Sequence, residues 1–358
     1  MPTSRAGKTI RVLVAEDSPT ARMLLVELFR SAKDFEVVGE AANGAEAIER
    51  AVELSPDLII MDVHMPILNG LDATKEIMRQ APAPILMVSA AASSSDVALA
   101  LSATQAGALM ILEKPHNPSD PEFAGEAEQL LTMARAMAGV KVVRRWGGSR
   151  QPAAIATRVA ANRAVKLVAI GTSTGGPAAL HRIFIDLEHD FSVPIVVVQH
   201  MARGFIGGLA SWLGANTSLK VTVAEQNESL AGGTIYLAPD DAHLGVTPDG
   251  RVALSNSAPL SGFRPSADHL FDSCARAYGS SLVAVILTGM GSDGAEGLAT
   301  VKARQGRVIA QDERSSIVFG MNQQAIERGL VDEVLPLDNI GQRLAELTDA
   351  GRGGGGSS

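Results

Sequence analysis

The chain has 358 residues, 46% of them apolar and 20% charged, with a formal net charge of −8. This is the composition of a globular protein with room for two domains, and the acidic balance argues against a nucleic-acid binder, which would carry a basic stripe. The single cysteine, Cys274, excludes an intramolecular disulfide and fits a reducing compartment. The N-terminal segment has no apolar core of signal-peptide type, and no apolar run approaches the length of a membrane span. A cytoplasmic protein without membrane insertion is expected.

After a short tail over 1–9, short apolar runs alternate with helical patterns. Runs at 10–15, 35–38, 58–61, 85–88 and 108–112 are too short for helices and rich in Val, Ile and Leu. Between them lie amphipathic stretches such as 45–54 and 71–79. This alternation predicts a doubly wound parallel sheet over 10–128, covered on both faces, with a closing helix over about 122–138.

Glu16 and Asp17 end the first of these strands, and Asp62 ends the third. In a doubly wound sheet the carboxyl ends converge on one crevice. Three carboxylates there repel one another unless a hard cation such as Mg²⁺ joins them. A carboxylate beside that metal is able to attack a phosphoryl group. Ser89 would offer a hydroxyl and Lys114 an ammonium at the same edge.

The matching segments are VLVAEDS, LIIMDVHMPILNGL, MVSA and LEKP. Together they resemble the response-regulator receiver family, whose fold is flavodoxin-like. The resemblance implies that Asp62 accepts phosphate from a histidine kinase. It also implies that Glu16, Asp17 and Asp62 hold Mg²⁺, and that Ser89 and Lys114 sense the phosphoryl group. Receivers usually carry an aromatic residue three positions before the lysine; here it is Ile111. His64, two residues past Asp62, is expected at the pocket rim.

Residues 139–164 contain Gly, Pro and basic residues without a period and are expected to be a linker. Arg144 and Arg145 read there as solvated charge, and Trp146 as a residue that docks on one domain. From 165 to 348 the alternation resumes, with strands expected at 165–170, 195–198, 221–224, 282–287 and 307–310. Runs at 234–237, 243–246 and 251–254 have the spacing and turn signals of a hairpin region. The Gly/Ser tail over 349–358 is expected to be disordered. The second domain is thus α/β as well, Rossmann-like with a hairpin extension.

VKLVAIGTSTGGPAAL reads as strand, Gly-rich turn and helix, and Gly171 to Gly175 fit the G-x-S-x-G pattern around Ser173. By itself the motif is also compatible with a tight connection or a phosphate cradle. The dinucleotide spacing is not met and the Walker lysine is missing. His200 ends the next strand, and Asp293 lies in a Gly-rich turn after VAVIL. Asp293 reads either as a helix N-cap or as the acid that orients His200. The order Ser, His, Asp differs from the Ser, Asp, His order of ordinary α/β-hydrolases.

AIGTSTGGP, VVVQHM, YLAPDDAHL, FRPSADHLF, LTGMGSDGAEG and VFGMNQQAI resemble the CheB chemotaxis methylesterase family, in order. The resemblance implies Ser173 as nucleophile, His200 as general base and then acid, and Asp293 as orienter. The backbone around Met290, and Thr174, become the oxyanion-hole candidates. Thr172 stands where Ala is usual. Arg264 is a candidate for contacting an acidic substrate, or for a structural ion pair, with Asp268 as a partner. His243 and His269 read as structural; His116, His181 and His189 read as surface residues.

The expected function is a phosphorylation-activated protein-glutamate methylesterase acting on chemoreceptors, with glutamine deamidation at the same site and no cofactor for the esterase step. The free receiver is expected to cover the esterase cleft until phosphorylation shifts the domains apart. The competing reading is a receiver-controlled signalling adaptor whose second domain binds without catalysis.

Overall fold

The computed structural model describes residues 9–89, 108, 110–115, 117–121, 123–139, 164–189 and 191–349. The chain divides into two units, Met1–Ser149 and Arg150–Ser358. The linker expectation, with Arg144, Arg145 and Trp146, lies outside the described residues, as do His116, most of the N-terminal tail and nearly all of the Gly/Ser tail.

The first unit runs β1 (Ile10–Ala15), α1 (Pro19–Ser31), β2 (Phe35–Ala41), α2 (Gly44–Leu54), β3 (Leu58–Asp62), α3 (Gly70–Gln80), β4 (Ile85–Ser89), β5 (Met110–Glu113) and α4 (Phe123–Ala138). The strands form one parallel sheet in the order β2-β1-β3-β4-β5. β3 and β4 are buried along their whole length, as strands covered on both faces must be. The helix starts follow from the sequence. Ser18 accepts from the backbone of Ala21 just before Pro19. Asn43 and Asn69 accept from the N–H groups of Glu46 and Asp72, and those carboxylates accept from the capping amides in return. The strand order reverses between β1 and β3, which opens a crevice at their carboxyl ends.

The second unit carries β6 (Leu167–Thr172), α5 (Gly176–Phe184), β7 (Ile195–Gln199), α6 (Ile206–Asn216), β8 (Lys220–Val223), β9 (Thr234–Leu237), β10 (His243–Val246), β11 (Val252–Ser255), α7 (Ala267–Tyr278), β12 (Leu282–Ile286), α8 (Ala295–Ala303), β13 (Arg307–Gln311), α9 (Met321–Glu327), β14 (Glu333–Leu335) and α10 (Leu337–Asp349). Seven strands make a parallel sheet in the order β14-β13-β12-β6-β7-β9-β8. One face packs against Leu270, Phe271 and Cys274 of α7 and Leu298 and Val301 of α8, all fully buried. Cys274 is thus a buried, packed side chain. Burial pushes its thiol pKa far up.

Two expectations are corrected here. Residues 234–237 do not belong to the hairpin: β9 is a buried strand of the main sheet, parallel to β7 and β8 on either side of it. Among the strands of the described residues, β10 and β11 alone pair antiparallel. The parallel edge strand β14, three residues long, was not expected; a run so short leaves no periodic signal.

Candidate active site and phosphoacceptor site

In the first unit, strand register assembles the acidic crevice. Ala15 pairs with Met61, so the residues that follow them, Glu16 and Asp62, leave the sheet side by side. One carboxylate oxygen from each of Glu16, Asp17 and Asp62 lies within 4.8 Å of the others. Ser89 pairs with Glu113, which puts Lys114 just beyond the edge. Its Nζ stands 2.8 Å from Glu16 Oε2 and 3.0 Å from Asp62 Oδ1.

Burial raises the pKa of Glu16 and of Asp62, more than the nearby Lys114 lowers them. Burial would depress Lys114, but contact with the two carboxylates reverses this and keeps the ammonium charged. Three carboxylates facing one ammonium leave an excess of negative charge on oxygen donors, which is the donor set a hard dication takes. Ser89 is buried at the end of β4, and its carbonyl accepts from the Lys114 N–H at 2.8 Å. His64 is exposed beside the crevice. Ile111 lies in β5; its side chain lies outside the described residues.

In the second unit the same logic recurs at the carboxyl ends of β6, β7 and β12. Thr172 pairs with Gln199, so Ser173 and His200 follow on neighbouring strands. The His200 N–H donates to the Thr172 carbonyl at 3.0 Å, and the Ser173 N–H donates to the Thr288 carbonyl at 3.1 Å. Gly175 caps α5 at φ 80°, a left-handed conformation that glycine adopts without strain. Gly289 faces Ser173 so closely that a Cβ there would stand 2.8 Å from the Ser173 Cβ.

Asp293 lies in the loop after β12 and is buried. Its Oδ2 stands 2.9 Å from Nε2 of His200. Oδ2 also accepts from the Ala267 N–H at 2.7 Å, while Oδ1 accepts from Ser266 Oγ at 2.7 Å and from the Asp268 N–H at 3.1 Å. Asp293 therefore sits on the N-terminus of α7, where backbone donors and the helix dipole favour a carboxylate. Burial alone would raise its pKa; the contacts with His200, Ser266 and Ala267 outweigh that and lower it. Nε2 is thus turned to Asp293, and Nδ1 lies on the other edge of the ring. Nδ1 is buried and has no hydrogen-bond partner among the described residues.

Ser173, His200 and Asp293 thus stand just beyond the ends of three adjoining strands. Thr174 is buried beside Ser173, and its Oγ1 has no hydrogen-bond partner among the described residues. Met290 follows Gly289 in the β12 loop, half-buried. Thr172 is fully buried, its hydroxyl donating to the Thr288 carbonyl at 3.0 Å, so it ties β6 to that loop.

Arg264 does not pair with Asp268. Its Nη2 lies 3.7 Å from Asp241, and Nη1 donates to the carbonyls of Asn256 and Ser257. Asp268 instead accepts from the Gly297 N–H at the start of α8, 2.8 Å away, because the two helix N-termini abut. His243 and His269 stack on each other at 4.7 Å. His189 is exposed, but His181 is half-buried and lies against Trp212 at 5.1 Å.

Sequence reasoning missed several supports of the site. Gln199 donates to the carbonyls of both Ser173 and His200 at 2.8 Å. Thr288 accepts at its hydroxyl from the N–H groups of Ile317 and Val318, and that hydroxyl lies 2.9 Å from the Thr174 carbonyl. Phe263 stacks on the His200 ring. Adjacency to a motif residue was the only available signal for Gln199 and Thr288.

An acidic crevice on one doubly wound sheet, followed by a Ser, His, Asp cluster on a second, is the arrangement of a receiver-linked hydrolase. Residues 12–121 match the response regulator receiver domain, and residues 168–344 match the CheB methylesterase domain. The chain is 48% identical over 351 residues to protein-glutamate methylesterase/protein-glutamine glutaminase 4 of Myxococcus xanthus, covering 97% of this chain and 98% of that one. It is 46% identical over 340 residues to protein-glutamate methylesterase/protein-glutamine glutaminase 3 of Anaeromyxobacter dehalogenans, covering 94% and 98%. The crystal structure of the Thermotoga maritima CheB methylesterase catalytic domain matches with a TM-score of 0.50 and 44% identity, covering 52% of this chain and all of that one. The chain belongs to the CheB methylesterase family.

Proposed function

We propose that this chain hydrolyses glutamyl γ-methyl esters on chemoreceptors, and deamidates receptor glutamines, under control of phosphorylation at Asp62. The observation that carries the reading is the convergence of Ser173, His200 and Asp293 at three adjoining strand ends. Ser173 Oγ attacks the ester carbonyl while His200 Nδ1 takes its proton. Asp293 orients the imidazole and stabilises the imidazolium that forms. Backbone N–H groups around Met290 and Thr174, near the start of α5, hold the oxyanion. His200 returns the proton to the leaving methanol, and water then hydrolyses the acyl-enzyme. With a glutamine substrate, ammonia leaves instead. Arg264 would contact acidic groups near the ester.

In the receiver, residues 10–128, Asp62 accepts phosphate from a histidine kinase of the CheA type. Glu16, Asp17 and Asp62 would hold Mg²⁺, which when bound offsets the charge of the entering phosphoryl group. Lys114 and Ser89 contact that group once it is attached. A cytoplasmic location goes with these partners; among the described residues no helix is long and apolar enough to cross a membrane.

The reading is tested by methanol release from methylated receptor membranes, with and without a small-molecule phosphodonor. Ser173→Ala abolishes release, and Asp62→Asn abolishes the response to phosphodonor. Full activity in Ser173→Ala would favour the adaptor reading and end the esterase assignment.

A further inference from the structure

Phe263 lies in the FRPSADHLF segment, and nothing in the proposed mechanism uses it. Its ring stacks on the His200 imidazole with centroids 4.2 Å apart and planes 6° from parallel. The ring is delivered by a tight hairpin. Leu260 and Phe263 exchange backbone hydrogen bonds at 3.0 and 2.8 Å across Ser261 and Gly262. Those two residues have φ of 50° and 86°, so both central positions of the turn are left-handed, as a type I′ turn requires. Phe263 is only half-buried, so packing into the core does not account for its place.

His200 is constrained on its other sides. Asp293 holds Nε2 on the ring edge, and the backbone is tied to Thr172 and Gln199. The ring face is what Phe263 covers. We propose that Phe263 is a positioning residue for the base: its π face fixes the plane of the His200 ring and favours the imidazolium formed when Ser173 gives up its proton. The proposal rests on His200 acting as that base. A cation over an aromatic face is attracted by the ring quadrupole, more strongly where water is excluded. The stack therefore helps the charged transition state more than the neutral ground state, which is the condition for raising kcat. The charged groups flanking the stack are Asp293 on the ring edge, Asp268 beyond it, and Asp241 with Arg203 and Arg264 on the neighbouring loops. None of these is altered by changing Phe263.

The test is the pH profile of methanol release from methylated receptor membranes by the full chain. Phe263→Leu keeps apolar bulk but removes the π face. It should lower plateau kcat about tenfold, with a smaller effect on KM. It should also move the acidic limb of kcat/KM to lower pH by roughly half a unit, since losing the ring disfavours the charged imidazole. Phe263→Tyr should restore both to within about twofold of the parent, as it retains the face. Pentafluorophenylalanine at 263 keeps the shape and reverses the quadrupole, so it should shift the acidic limb in the same direction as Leu and at least as far; it also serves should Phe263→Leu fail to fold. A pentafluoro or Leu variant with unchanged plateau and unchanged acidic limb would overturn the proposal. His200→Ala separates the two levels. If it stays active, the base assignment itself has failed; if it is inactive while the Phe263 variants match the parent, only the stacking role has failed.

Discussion

Asp293 is held from four directions, by Ser266, Ala267, Asp268 and His200. Its neighbour Asp268 is shifted the opposite way, up to about 6, chiefly by burial and, against the Gly297 hydrogen bond, by the charge of Asp293. The signs give opposite pH dependences. Asp293, with its pKa depressed, contributes stability present above its unfolded pKa and lost as pH falls through the folded one. Asp268 binds its proton more tightly in the folded state, so its contribution declines as pH rises from 3.8 towards 6. Asp268→Asn keeps an acceptor for Gly297 and cannot ionise. Its thermal midpoint is expected to lose less between pH 4 and pH 6 than the parent's, measured by melts of the full chain at half-unit steps. A parallel decline in both proteins would contradict the assignment. At Thr288 the hydroxyl serves the Ile317 and Val318 amides in a buried setting. Thr288→Val strands those donors. It should cost about 2 kcal/mol of stability and lower kcat more than KM, because the Ser173 N–H is held by the same residue. Urea titration and steady-state kinetics check the two parts.

At the scale of elements, the loop after β12 and the turn after β6 form one device. Gly289 lets them touch: an alanine there would press on the Ser173 Cβ at 2.8 Å and its backbone N at 3.1 Å. Contacts that short with a flexible side chain are relieved by rotation, but a backbone neighbour has to shift. Gly289→Ala is therefore expected to cut methanol release by more than about tenfold, since small misplacements near the reacting atoms are costly. Its melting temperature should fall by only a few degrees, and a fluorophosphonate label would show whether Ser173 itself has lost reactivity. The strands bearing the two sites were legible because buried parallel strands are continuous apolar runs, and the chemical residues stand directly after them. The neighbours of β9 were not legible. A four-residue apolar run beside turn signals reads the same in a hairpin and in the interior of a parallel sheet, and only its pairing with β7 and β8 decides. The Phe263 stack was hidden for a related reason. It depends on a two-residue turn that brings a ring across to a strand end 63 positions earlier, and aromatic residues carry no motif of their own.

For the whole molecule, the two sites obey one design in separate units: strand ends on a parallel sheet, polar groups on the loops, hydrophobic strands beneath. They differ in what neutralises their buried charge. In the catalytic unit a helix N-terminus and an imidazole face Asp293. In the receiver Lys114 alone among the described side chains is at ion-pair distance from both Glu16 and Asp62, with its own side chain 19% exposed. Removing it leaves two buried carboxylates adjacent and uncompensated. Loss of one partner of such a cluster costs on the order of 3 kcal/mol. Lys114→Ala should therefore unfold its receiver unit at lower temperature in EDTA. A dication that binds the folded carboxylates and not the unfolded chain restores stability by mass action. Added Mg²⁺ should thus raise the receiver transition of Lys114→Ala by more than it raises that of the parent, where the ammonium already occupies the carboxylates' field. The catalytic unit's transition should not move in either buffer. Calorimetry of the full chain at several Mg²⁺ concentrations reads both transitions at once. An Mg²⁺ response no larger in Lys114→Ala than in the parent would mean that Lys114 and the metal do not share the Glu16, Asp17 and Asp62 carboxylates.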